Sequence, residues 1–376
     1  MSTPDHRHDF RVMLVPLPDL ARLQSLWLEL ESRADASFFQ GWAWIGPWLR
    51  LICPTRIPRL LTIEGNGRLV GMGVLTERRR FFGLGPLHLR LHETGDRALD
   101  DITIEYNGFL SEKGMERIVM DAAVSYLMRC DRRWLSLHFP GIGSEQIPAH
   151  GFHDTALDIR STVRPIHYID LDSLRESQCD YVASLHGAKT RSNIRSTARR
   201  LASRHGTTVL RQARNASERN DFFRGLVDLH QAHWTQKHDR LGAFVDPRIL
   251  RFHAALIADA SDDEGPQLFR IEAGDAIIGY NYTLAWRGVM YGYQLGIDYS
   301  RFANCGSPGQ LAVAMTVQHA LQQGYSRFEL MAGDTSYKRA LGMEESRRML
   351  WLSLDRRNWK SRLRKAWHSL RKPASA

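Results

Sequence analysis

Long apolar runs are missing: no stretch of about 18 consecutive hydrophobic residues occurs, which predicts no membrane-spanning helix. The N-terminal MSTPDHRHDF has no apolar core of the kind a secretory signal carries, so no export signal is expected there. Cysteine is scarce. Cys53, Cys130, Cys179 and Cys305 stand alone, without the paired spacing of a structural zinc site, and that usage fits a reducing, cytoplasmic compartment. The 16 histidines include no HExxH spacing, and His6/His8 and His230/His233 lack further ligands beside them, so no metal is expected.

What is present is an ordinary globular composition, 43% hydrophobic and 24% charged, in 376 residues. That length exceeds one usual core and predicts two domains. Ten Trp and eleven Tyr supply core and aromatic cleft walls. The net charge of +10 is concentrated in two places. One is Lys189, Arg191, Arg195, Arg199, Arg200 and Arg204, with no acid between them; the other is the tail Arg347–Lys372, where Asp355 is the sole acid. Either could meet phosphate in RNA, in the 3′-phosphate of coenzyme A, in a nucleotide-linked sugar or on an anionic membrane. A solvated helix face is the alternative.

The chain repeats at long range. Ile63–Gly71 (IEGNGRLVG) reads like Ile271–Gly279 (IEAGDAIIG), each a strand, a tight turn and a strand. Met72–Arg78 then parallels Tyr280–Trp286, and Leu87–Leu91 parallels Tyr291–Leu295. A helix comes next in each half (Glu112–Met128 and Gln310–Gln323), then a strand (Trp134–Phe139 and Ser326–Met331). The boundary is expected within Gly151–Arg164. The domains are therefore 10–160, 161–356 and a basic C-terminal helix or tail, 357–376. In that tail Trp359, Leu363, Trp367 and Leu370 form an apolar stripe suited to a membrane interface or to capping the second domain.

The second half is the richer in chemistry. Gln267–Glu272, Ala276–Trp286 and Val289–Ile297 form a predicted meander with turns at Ala273-Gly274-Asp275 and Arg287-Gly288. Gly306-Ser307-Pro308-Gly309 opens a helix that Gly324 closes, and a strand feeds Asp334-Thr335-Ser336-Tyr337-Lys338. Upstream, Ala188–Arg204 is a basic helix with a thin apolar stripe at Ile194, Ala198 and Leu201. The helix from Asn215 carries Phe223, Leu226, Val227, His230 and Trp234 on one face, which turns His230 inward.

On these features residues 184–354 resemble the GNAT acyltransferase superfamily. They look most like its two-domain branch of CelD-type proteins, associated with cellulose synthesis, and Fem-type peptidoglycan transferases. The carrying motifs are the Lys189–Arg204 helix, Leu229-His230-Gln231-Ala232-His233-Trp234, Gly279-Tyr280-Asn281-Tyr282, Asp298-Tyr299, Ser307-Pro308-Gly309 and Gly333–Lys338. The resemblance implies an α/β fold of tandem GNAT-like domains, each a mixed, mostly antiparallel sheet flanked by helices. It implies that the fourth and fifth strands splay around an acyl-thioester arm. It also implies that amides of Gly306, Ser307, Gly309 and Gln310 hold a pyrophosphate. The first half has no Ser-Pro-Gly counterpart; Thr103–Leu110, with the single Gly108, reads as a degenerate copy.

Acyl transfer to an amine requires a base, oxyanion donors and an acid for the leaving group. Backbone N–H groups over Gln294, Leu295, Gly296 and Ile297 are the expected oxyanion donors, and Tyr337 is the acid the resemblance suggests. His230, Glu329 and Asp334 are the alternatives for the base, with a core histidine and a helix cap as the structural readings of His230 and Asp334. Trp234, Asn281, Tyr291, Tyr293 and Lys338 complete the expected substrate contacts. In Arg301–Gly306, Asn304 stands where the family's phosphate loop has Gly, which leaves two donors open. One is acyl-CoA, given to an amine or hydroxyl of an amino sugar, envelope glycan or small amine; the other is a Fem-type aminoacyl-tRNA. An inactive partner of a membrane polysaccharide synthase is the third reading. The basic helix 188–204 and the tail 347–372 would meet tRNA or a membrane surface, and a cytoplasmic protein with peripheral attachment to the inner face of the membrane is compatible with both.

Overall fold

The computed structural model describes residues 10–357 except 54–57, 80–85, 101, 103, 131–133, 150, 153–155 and 239–241. The apolar stripe predicted in the tail lies outside the described residues. The chain divides into two units, the first taking in 1–46, 53–163 and 349–376 and the second 47–52 and 164–348.

In the first unit β1 (Phe10–Pro16) is followed by α1 (Leu20–Glu31) and α2 (Trp42–Leu51), then β2 (Arg59–Gly65), β3 (Arg68–Arg79) and β4 (Leu87–Leu91). The short α3 (Arg97–Asp100) and β5 (Leu110–Ser111) lead to α4 (Glu116–Cys130) and β6 (Trp134–Gly143). Asn66 and Gly67, with φ of 53° and 73°, make the β2–β3 hairpin turn that the Asn-Gly pair predicts. Leu89, Leu137 and Phe139 of the sheet pack with Val119, Ala123 and Leu127 of α4 into one core.

The second unit takes the 47–51 part of α2 and resumes inside β7 (Leu157–Asp170). It continues with α5 (Leu171–Glu176), α6 (Tyr181–Ser184), α7 (Ala188–His205), β8 (Thr208–Gln212), α8 (Ala216–His238) and α9 (Pro247–Ala258). The meander is β9 (Gly265–Ala273), β10 (Ala276–Trp286) and β11 (Val289–Ile297). After it come α10 (Tyr299–Phe302), α11 (Pro308–Gln322), β12 (Arg327–Ala332), α12 (Ser336–Leu341) and β13 (Met343–Arg356). Arg287 and Gly288, at φ of 48° and 77°, close the predicted β10–β11 turn. Ile194 and Leu201 of α7 join Leu311, Ala314 and Val317 of α11 beneath Ile271, Ile278 and Phe328 of the sheet.

Each sheet has the same plan. In the first unit β1, β2, β3 and β4 pair antiparallel in turn, β4 pairs parallel with β6, and β6 pairs antiparallel with the 349–356 part of β13. In the second, β8, β9, β10 and β11 pair antiparallel in turn, β11 pairs parallel with β12, and β12 pairs antiparallel with β7. The fold is mixed α/β, with mostly antiparallel sheets flanked by helices. The sixth strand of the first sheet is 349–356, a segment that the sequence pattern alone groups with the second domain.

Candidate active site

Strands β11 and β12 pair only at Val289↔Arg327, Met290↔Phe328 and Tyr291↔Glu329. Beyond Tyr291 the two strands separate, because β11 stays with β10 while β12 runs along β7. A bulge drives the change of course: Tyr282 faces Gln294 and Thr283 faces Gly292, so Tyr293 is an extra residue in β11. On the other wall, Met331 and Gly333 adopt φ of 64° and 127° and bend the chain out of β12. A gap opens between the fourth and fifth strands of the second sheet, as the resemblance implied.

The amides that line this gap are set by strand geometry. Asp298 N donates to Ile278 O at 3.0 Å. Amides along an antiparallel strand alternate in direction, so those of Gly296 and Gln294 also point at β10, and those of Leu295 and Ile297 point into the gap. Of the four amides predicted as oxyanion donors, those of Leu295 and Ile297 face the gap and those of Gln294 and Gly296 do not.

The start of α11 closes one end of the gap. Ser307 N, the N-cap amide, donates to Thr197 Oγ1 of α7 at 2.9 Å, and Gly306 N reaches Ala303 O at 3.4 Å. Pro308 has no N–H. Of the four predicted phosphate-binding amides, Gly309 and Gln310 remain as first-turn donors without an intrahelical acceptor. Gly309 is required by close approach: a Cβ there would lie 2.7 Å from Tyr299 Oη. The Tyr299 hydroxyl therefore sits over the first turn of α11, with the His233 ring 5.0 Å from its own.

His230, 5% exposed, lies on α8 against Trp234 and Phe244 at ring distances of 5.8 and 5.1 Å. Burial and then the neighbouring His233 push its pKa down to about 4, against a hydrogen bond to Gln294 that works the other way. Its Nδ1 is buried with no hydrogen-bond partner. A neutral imidazole of that acidity is a poor base near pH 7. Glu329, 2% exposed, turns away from Phe328 and Leu330 of the core as alternation predicted, but its Oε1 accepts from Arg327 Nε at 2.6 Å. The same guanidinium bonds Glu345 at 2.7 Å and covers the Tyr168 ring. Asp334 is exposed and paired with Arg339; the cap of α12 is Thr335, not Asp334. His230 is thus packed among aromatic rings, and Glu329 and Asp334 are both held in ion pairs.

Tyr337 is held protonated, its pKa raised by burial and then by the nearby Tyr299; burial also raises that of Tyr299. Among the predicted substrate contacts, Asn281 is buried and its Nδ2 donates to Thr316 Oγ1 of α11 at 3.0 Å. It therefore serves the sheet–helix layer rather than a substrate. Tyr291 and Tyr293 are both buried, and Tyr293 packs on Tyr282 and His253. Lys338 Nζ donates to Ala332 O at 2.5 Å, which anchors α12 to the end of β12. Tyr299, His233 and Thr197 were not predicted as site residues. Asp298-Tyr299 registers in the sequence only as a motif, since its reach to Gly309 is a tertiary fact. A separate cavity of about 470 Å³, lined by Gln212, Arg214, His319 and Tyr325 among others, lies by the C-terminal end of α11 and holds none of the predicted residues. Among the described residues no cluster of three or more His, Cys, Asp or Glu could hold a metal ion, and no helix is long and apolar enough to cross a membrane.

Residues 188–339 match the acetyltransferase (GNAT) domain model, and this part of the chain is similar to such a domain. No match is found among curated proteins. Solved structures similar to the whole chain include FemX, at 9% identity and TM-score 0.56 over 95% of this chain and 99% of that one. A C-terminal domain described as that of a putative lysylphosphatidylglycerol synthetase, from Agrobacterium fabrum, aligns at 11% and 0.53 over 94% and 96%. A conserved protein of unknown function from Bacteroides thetaiotaomicron aligns at 9% and 0.53 over 93% and 100%. At such identities the likeness is one of fold.

Proposed function

We propose that the second unit transfers an acyl group from acyl-CoA to an amine, or a hydroxyl, of an amino sugar, envelope glycan or small amine. The single observation behind this reading is the gap between β11 and β12, faced by the Leu295 and Ile297 amides, inside the part of the chain similar to a GNAT domain. The thioester arm lies in the gap with its carbonyl oxygen on those amides, and the pyrophosphate rests on Gly309 and Gln310. The nucleophile attacks the carbonyl carbon, the developing oxyanion is held by fixed N–H groups, and the C–S bond breaks as sulfur takes a proton. Tyr299 delivers that proton, backed by Tyr337, and is reprotonated through solvent, which takes the proton that the attacking nitrogen or oxygen gives up. His230 stays neutral and orients Gln294 on the far side of β11. With His230 buried and neutral and both carboxylates engaged by arginines, the acceptor reacts as its free amine, and the rate rises with pH toward the amine's own pKa.

Thermal shift of the full chain with acetyl-CoA and longer acyl-CoAs tests the donor. Stabilisation by at least one supports the reading; none by any of them overturns it. A second reading, an aminoacyl-tRNA donor in the manner of the Fem-type branch, is favoured by the uncompensated cations of α7. It requires RNA affinity that falls steeply with salt.

A further inference from the structure

Several arginines among the described residues pair with a carboxylate. Arg33 and Arg68 share Glu112, Arg160 holds Asp355, Arg211 holds Glu272 and Arg248 holds Asp246. Helix α7 concentrates cations without such a pair. Among the described residues Lys189, Arg195, Arg199, Arg200 and Arg204 have no ion-pair partner, and the sequence has no acid between Asp180 and Glu218.

One stripe of this helix runs along the loop that precedes α11. Thr197, Arg200 and Arg204 recur at three- and four-residue spacing and so share a face. Thr197 takes the Ser307 amide. The Arg200 guanidinium lies 3.7 Å from the position a Cβ would occupy on Gly306, and the Arg204 guanidinium is 3.9 Å from Cys305 Sγ. The Ser307 amide is taken by Thr197 and the Gly306 amide by Ala303 O, so the loop offers an anion fewer backbone donors than four. Gly306 is exposed and has no side chain to keep a ligand off the backbone.

We infer that Arg200 and Arg204 form a phosphate subsite continuous with the first turn of α11. It takes a phosphate of a nucleotide-bearing donor, with guanidinium groups supplying what the loop amides do not. Guanidinium groups suit the task because they stay charged and bind phosphate oxygens in pairs. This rests on the reading of the β11–β12 gap as the donor cleft, and it adds which side chains hold the donor's nucleotide end.

Calorimetry of the full chain with adenosine 3′,5′-bisphosphate tests it without needing catalysis. The wild type is expected to bind, with Arg200→Ala and Arg204→Ala each weakening binding roughly tenfold, the scale of a charged hydrogen bond. Arg195→Ala, off the stripe, should change it less than about twofold, and unchanged melting of each variant excludes misfolding. No binding by the wild type, or equal weakening by Arg195→Ala, overturns the subsite. A short single-stranded RNA is the second arm: binding of RNA but not of the bisphosphate overturns the small-nucleotide assignment. If the bisphosphate binds through Arg200 while no acyl-CoA stabilises the protein, the subsite stands and the acyl-CoA reading falls.

Discussion

The two units run through the same strand order and the same pairing pattern, and differ at the place where the fourth and fifth strands meet. In the second unit β11 leaves β12 after three residue pairs. In the first, β4 pairs with β6 from Leu87 to Arg90, and the space beyond is occupied. Asn107 N donates to Gly141 O at 2.8 Å and Asn107 bridges to Ile142 in parallel register, so residues around 107 lie beside β6. Asn107 is 0% exposed and is a hub: its Oδ1 meets His92 Nδ1 at 2.8 Å, its Nδ2 donates to Leu91 O, and its carbonyl accepts from Gln146 Nε2. His92 Nε2 accepts from Val74 N, so the proton of the neutral ring is on Nδ1. Gly108 allows the plug to pack, since a Cβ there would overlap the Gln146 amide. One topology thus yields a cleft or a closed core, and the segment after the fourth strand decides between them. In the second unit a Pro-started helix follows the fourth strand, whereas in the first a polar segment lies along β6.

Mutations separate the two outcomes. Tyr299→Phe should lower kcat about a hundredfold, the range of general acid catalysis, with donor KM and melting temperature unchanged; Tyr337→Phe should cost less. Steady-state kinetics across pH checks both, and an unaltered kcat in Tyr299→Phe would remove its assigned role. Asn107→Ala should do the reverse. Breaking a fully buried polar hub should cost about 3 kcal/mol in urea unfolding, with donor affinity of the folded fraction intact. Loss of donor affinity at wild-type stability would erase the distinction between the units. Glu329→Gln should leave kcat within about threefold, because the carboxylate serves Arg327; a drop of about two orders of magnitude would reinstate it as the base.

The smallest effect is on acid stability, and both units share it. Burial lowers the pKa of His92 and His230 to about 4 and that of His253 to about 3. The unfolded chain, with imidazoles near about 6.5, binds protons that the folded one refuses. Stability contributed by these rings is complete above about pH 6.5 and is lost as pH falls toward about 4. Urea midpoints measured across that window should decline with falling pH, and a flat profile would contradict the buried neutral state.

Local pattern carried much of this architecture in the sequence. The Asn66-Gly67 and Arg287-Gly288 turns, the Pro308 start of α11, the apolar stripe of α7 and the outward turn of Glu329 all come from spacing and backbone preference. The site's details depended on contacts between distant residues. The extra residue at Tyr293 shifts strand phase, and so decides which amides face the gap; no periodicity announces a bulge. Thr197 captures the Ser307 amide from 110 residues away. Asn281 reaches Thr316 of α11 from 35 residues away. Glu329 and Asp334 are plausible bases by residue type and position alone, and only the fold brings Arg327 and Arg339 onto their carboxylates.

The central claim is that the donor occupies the gap of the second unit and that its counterpart in the first is filled. Hydrogen–deuterium exchange of the full chain, with and without a saturating acyl-CoA, tests it most directly. Protection is predicted at the Leu295 and Ile297 amides and at the first turn of α11, with residues 104–111 and β4 unchanged. Protection confined to β4, β6 or 104–111 would contradict the account.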